Sequence, residues 1–316
     1  MKIDVHQHLW TTPLVEALAV RNEFPFVRAE NGLTVLYLAG ERPYVIDLVG
    51  EEPERRSALV ELDGLDQALL CLSSPLGIEG LPRREARPLI EAYHEGALAL
   101  DESFGVWGAI ALDRCDPDDV DELLERGCVG LALPAGALAG VECIAALREI
   151  LERLELRGAP LLVHPGPGLR PDRPGPAREV ALGEPLWWPA LTSYVAGIQA
   201  AWLSFLIAGR HDHPRLRVIF TMLAGLAPLH GERLTARGGP VASEQPDPLV
   251  FYDTSSYGPW AVRAMAELVG PAQLLYGSDR PVVEPAELGT TELLDWDLTE
   301  ESTRRALTTT SLVGAA

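Results

Sequence analysis

The 316-residue sequence predicts an α/β fold, a single (β/α)8 TIM barrel occupying residues 1–316, on three observations. Eight short apolar, β-rich runs alternate with helical stretches nearly throughout the chain. Runs such as Pro160-Leu161-Leu162-Val163 are apolar on both faces, as a parallel strand between a barrel interior and an outer layer of helices must be. No glycine-rich phosphate fingerprint follows the first run, which argues against the rival arrangement, an open doubly wound sheet.

The predicted strands are Ile3 to His8, Gln67 to Ser73, Gly105 to Leu112, Val129 to Leu133, Pro160 to His164, Leu216 to Thr221, Val250 to Asp253 and Leu274 to Gly277. After the first strand, Leu33 to Leu48 read as a small inserted hairpin around Gly40. Pro88 to Leu98 is helical in character. So is Pro117 to Glu125, with Asp116 as N-cap, Pro117 at the first position and acidic residues in the first turn. Val141 to Leu154 repeats apolar residues at helical spacing. Gly166 to Pro189 is a long Pro- and Gly-rich loop after the fifth strand. Both insertions follow strand ends, the face where barrel enzymes keep their chemistry, and are lid candidates. The apolar stretch Ile198 to Ala208 is too short to span a bilayer and fits either a buried outer helix or a subunit contact.

Composition narrows the function classes. Hydrophobic residues at 47% suffice for a large core. A net charge of −20 with scattered basic residues argues against nucleic acid and against anionic membrane surfaces. The four cysteines, Cys71, Cys115, Cys128 and Cys143, show no CxxC spacing and read as buried thiols in a reducing compartment. Charged residues and histidines come too early in the chain for a signal peptide. The expectation is a cytoplasmic protein whose partner is a small-molecule substrate.

The chemistry concentrates at strand ends. Asp4-Val5-His6-Gln7-His8 sets two imidazoles two residues apart, on one face of a strand, and two neutral imidazoles side by side suit a divalent metal. Alone, such a pair is more often packing or surface. His164 ends the fifth strand just before Pro165-Gly166-Pro167, and Asp279 follows the eighth just before Arg280-Pro281. Four ligand-type residues at the ends of strands one, five and eight form a metal set. His94, His211 and His213 read as surface residues.

The DxHxH start, the Leu-Leu-Val-His strand, the Leu-Arg-Val-Ile-Phe segment running into Ala224-Gly225 and the Tyr-Gly-Ser-Asp-Arg-Pro ending resemble the amidohydrolase-related family of the amidohydrolase superfamily, over nearly the whole chain. Relatives there include aminocarboxymuconate semialdehyde decarboxylase, γ-resorcylate decarboxylase and lactonases. The resemblance puts His6, His8, His164 and Asp279 on the family's metal-ligand positions. Relatives with two metals carry a bridging lysine on the fourth strand. Lys2 is the only lysine here, so one divalent metal is expected, Zn²⁺ first and Mn²⁺ or another ion otherwise. Family members carry a histidine after the sixth strand, and Met222 is read as occupying that place. A thioether transfers no proton. Either His230, at the start of the following helix, replaces the lost base, or Asp279 suffices, which is the preferred account.

The leading expectation is hydrolysis of a lactone, ester or amide by a metal-activated water with Asp279 as base. The alternatives are non-oxidative decarboxylation of an aromatic or unsaturated acid, and a barrel catalytically impaired by Met222. The resemblance also admits a homodimer.

Overall fold

The computed structural model describes residues 1–169, 185, 187–239, 246–285 and 294–308. Its first strand, β1 (Ile3–Gln7), is followed by a three-stranded antiparallel insertion of β2 (Phe26–Glu30), β3 (Leu33–Tyr37) and β4 (Tyr44–Ile46). The barrel resumes with β5 (Gln67–Leu70), β6 (Phe104–Gly108), β7 (Gly130–Pro134), β8 (Leu161–His164), β9 (Val218–Phe220), β10 (Val250–Asp253) and β11 (Leu274–Leu275). The eight strands β1-β5-β6-β7-β8-β9-β10-β11 form one parallel sheet in chain order. The β1–β11 seam closes it: Val5 N donates to Tyr276 O at 2.9 Å, Asp279 N to His6 O at 2.9 Å and His8 N to Arg280 O at 2.8 Å.

Period-two alternation sorts each strand into two cores. Leu69, Trp107, Ala132, Leu162, Ile219, Phe251 and Leu275 fill the barrel interior, whereas Leu70, Val106, Leu131, Val163, Phe220 and Tyr252 face the outer helices. β1 breaks this rule. Asp4 opposes Ala68 but Gln7 opposes Leu70, so three steps on β1 match two on β5. This bulge lets Val5 join the interior core while His6 and His8, one residue out of phase with it, also reach the mouth. It also frees the Val5 carbonyl, to which the fully buried Trp107 indole N–H donates at 2.9 Å.

Several expectations change in detail. The inserted hairpin is a three-strand sheet, because Asn31-Gly32, both with positive φ, makes a two-residue turn that adds β2 before the predicted segment. The Asp116 cap stands, its side chain accepting from Asp118 N at 3.0 Å. The predicted Val141–Leu154 helix is two, Val141–Ala146 and Arg148–Arg157, split at Leu147. The predicted Gly166–Pro189 loop lies mostly outside the described residues. The apolar stretch continues as helix beyond its predicted ends, Trp188–Asp212, which is long and apolar enough by length and composition to cross a membrane. Ile198, Ala201 and Phe205 on it are nevertheless buried against the barrel core. His94 and His213 are buried rather than on the surface. His94 Nε2 accepts from Ala109 N at 3.0 Å, which secures helix Arg83–Leu98 to the end of β6.

Candidate metal centre

The bulge in β1, the end of β8 and the turn after β11 bring His6, His8, His164 and Asp279 together at the C-terminal mouth. The three rings stand edge to face, with centroids 5.1, 4.8 and 4.9 Å apart and planes 85, 82 and 83° apart. His6 Nε2 lies 3.3 Å from His8 Nε2, and Asp279 Oδ1 lies 3.2 Å from His8 Nε2 and 3.6 Å from His6 Nε2. Donors held ~2.1 Å from a tetrahedral ion are separated by roughly this distance.

Each imidazole is oriented from behind. His6 Nδ1 meets Asp253 Oδ2 at 2.9 Å, His8 Nδ1 meets the Cys71 carbonyl at 2.9 Å and His164 Nδ1 meets the Pro165 carbonyl at 2.8 Å. With Nδ1 donating, each Nε2 lone pair is left for an ion, the usual support of a metal-bound histidine. Two such lone pairs at 3.3 Å repel unless a cation lies between them. The donor set and its supports therefore fit a divalent metal.

The three imidazoles differ in their electrostatic surroundings. Burial works against charge on His6, yet the Asp253 carboxylate holds it well above the ordinary imidazole range. Burial opposes charge on His8 too, and Cys71 with Asp279 brings it to about 10. Burial, then His6 and His8, push His164 well below.

The sequence reading missed two members of this site. Asp253 is wholly buried at the end of β10 and accepts from Met222 N at 3.0 Å, Ser255 N at 2.9 Å and Ser255 Oγ at 2.5 Å besides His6. Gly277 makes room for it, since a Cβ there would sit 2.8 Å from the Asp253 carboxylate. The available signal was an acid at the C-terminal end of a barrel strand. Cys71, following β5, is not merely a buried thiol: its ligand atom and those of His6, His8 and His164 all lie within 4.8 Å of one another. Burial raises its pKa but His8 and His6 bring it down to about 7.

Met222 opens the loop after β9. Alternation from the inward Ile219 makes Thr221, not Met222, the inward residue, and its buried hydroxyl has no partner among the described residues. Met222 begins a left-handed run through Leu226, with φ between 49 and 63°, and supplies its backbone N–H to Asp253. Ser256 and Asp279 are left-handed too, at φ 63 and 61°, and Ser256 Oγ donates to Asp279 Oδ2 at 3.2 Å. Strained backbone thus gathers on three successive mouth loops, as it does at functional sites. His230 is exposed, and no hydrogen bond among the described residues joins it to the cluster.

With this geometry established, known structures can be compared. The apo crystal structure of IDCase from Metarhizium anisopliae matches at TM-score 0.72 and 16% identity, over 96% of this chain and 90% of that one. A structure of amidohydrolase II matches at TM-score 0.66 and 19% identity, over 97% of both chains. The fold is that of the amidohydrolase barrels. A 5-carboxyvanillate decarboxylase from Novosphingobium aromaticivorans, with bound manganese and 3-methoxy-4-hydroxy-5-nitrobenzoic acid, matches this barrel at TM-score 0.69 and 15% identity, over 98% of this chain and 95% of that one. No family model matches the chain, and no curated protein does.

Proposed function

We propose that this protein is a metal-dependent carboxy-lyase acting on a small hydroxyaryl or unsaturated carboxylic acid, with His6, His8, His164 and Asp279 holding the ion. The observation that carries the reading is the convergence of three back-supported imidazoles and a carboxylate at the barrel mouth. Decarboxylases of aromatic acids recur among the similar structures, which favours this chemistry over the hydrolysis expected from the sequence.

Bound there, a divalent ion supplies a positive anchor for a carboxylate and a sink for developing negative charge. The chain's own residues do the rest. Asp279 divides its oxygens, Oδ1 toward the imidazoles and Oδ2 toward Ser256. As the carboxyl C–C bond breaks, its electron pair stays on the substrate carbon, and a proton held by Asp279 passes to that carbon. The apolar interior below, with Val5, Trp107 and Leu162, makes a dry floor that favours release of neutral CO₂ over retention of a carboxylate. Thr221, whose buried hydroxyl has no partner among the described residues, could donate to a substrate oxygen. His230 has no part in this account.

Hydrolysis remains the second reading, favoured by the likeness to amidohydrolase II, with Asp279 taking a proton from the attacking water. Protein reconstituted separately with zinc and with manganese, offered hydroxybenzoates and lactones, decides between them. Metal-dependent CO₂ release supports the lyase; lactone opening without CO₂ release from any acid rejects it.

A further inference from the structure

Among the described residues, Cys71 is the cysteine placed with the imidazoles. Its backbone is fixed from both sides: Cys71 N donates to Gln7 O at 2.9 Å, and its carbonyl accepts from His8 Nδ1 at 2.9 Å. The side chain points into the interior with Val5, Leu69 and Trp107, and Sγ lies 3.5 Å from His8 Nδ1. Cys71 is the one sulfur in that hydrophobic layer, and its Sγ and the ligand nitrogens of His6, His8 and His164 all lie within 4.8 Å of one another. A thiol serving only as packing would do as well at any interior position.

We propose that the Cys71 thiolate is a direct ligand of the ion held by His6, His8 and His164, and that it makes the site select thiophilic metals, zinc or cobalt, over manganese. The proposal rests on the metal reading above. Thiolate donors favour such ions, whereas carboxylate and water suit manganese and magnesium. The sulfur approaches from the interior side, leaving the mouth open to substrate.

The test is anaerobic titration of metal-free protein with cobalt(II), following absorption in the wild type and in Cys71→Ser. The expected wild-type result is visible d–d bands saturating at about one equivalent, accompanied by a near-ultraviolet sulfur-to-cobalt charge-transfer band. Cys71→Ser keeps the d–d bands, which also report that it is folded, and loses the charge-transfer band. Its preference for zinc over manganese, read by competition with cobalt, falls by about tenfold or more. Wild-type d–d bands without charge transfer overturn the role of Cys71 and leave the metal reading standing. A charge-transfer band surviving in Cys71→Ser overturns it as well, since the sulfur is then another cysteine. No bands at all overturn both readings.

Discussion

Two carboxylates divide the work at the site. Asp279 faces the imidazole nitrogens and is held in a left-handed conformation that Asp and Asn tolerate better than other residues with a Cβ. Asp279→Asn should therefore fold normally, by circular dichroism, while turnover falls by roughly 10²–10⁴-fold; near wild-type turnover would contradict its role. Asp253 touches no open space and works through His6, fixing its ring with Oδ2 while Oδ1 secures the loop after β9. Asp253→Asn is expected to weaken metal affinity by about 10–100-fold in a chelator competition, with a smaller effect on kcat once metal saturates. The four ligand candidates were legible because His6 and His8 share one face of a strand at HxH spacing, and His164 and Asp279 stand at strand ends marked by a nearby Pro. Asp253 and Cys71 were not, since an acid after a strand and an isolated cysteine both have ordinary structural uses. Which residue after β9 points inward depends on register at the strand end, which a sequence does not display; strand alternation puts Thr221 in that phase.

At the scale of elements, the β1 bulge is the device that brings His6 and His8 to the barrel mouth. Its freed Val5 carbonyl is satisfied by Trp107. Trp107→Phe leaves that carbonyl unpaired in a dry interior and should cost roughly 1–3 kcal/mol in urea denaturation from this cause alone. A second prediction concerns helix Arg83–Leu98. Burial, aided by Arg126, pushes His94 down to about 4 from an ordinary 6.5. A histidine whose folded pKa is depressed is held neutral by the fold, so its contribution is complete above pH 6.5 and is lost as pH falls toward 4. That limb is worth about 3 kcal/mol. His94→Gln keeps an acceptor for Ala109 N but cannot ionise, and should flatten the stability profile across this window relative to wild type. An unchanged slope would contradict the assignment. The barrel strands were legible as short β-rich runs alternating with helical stretches, most of them apolar on both faces, though several were drawn too long: Gly105 to Leu112 shortens to Phe104–Gly108 where the chain leaves the barrel. Strand β2 was missed because the Asn31-Gly32 turn was passed over in favour of Gly40.

At the scale of the molecule, the barrel closes on its own active mouth. Hydrogen bonds from Val5, His8 and Asp279 join β1 to the segment after β11, so ligands from the two ends of the chain belong to one seam. An ion there fastens first strand to last. Saturating metal at about 1,000 times its Kd should stabilise the fold by roughly 4 kcal/mol, seen as a fall in Tm when a chelator removes it. The measurement that bears most directly on the account is a metal count by elemental mass spectrometry on chelator-free protein, wild type beside His164→Ala. About one divalent ion per chain in the wild type, lost in the folded variant, is the predicted result. A wild type that carries no ion and takes up none, or a variant that retains it fully, would contradict the metal centre and the lyase reading built on it.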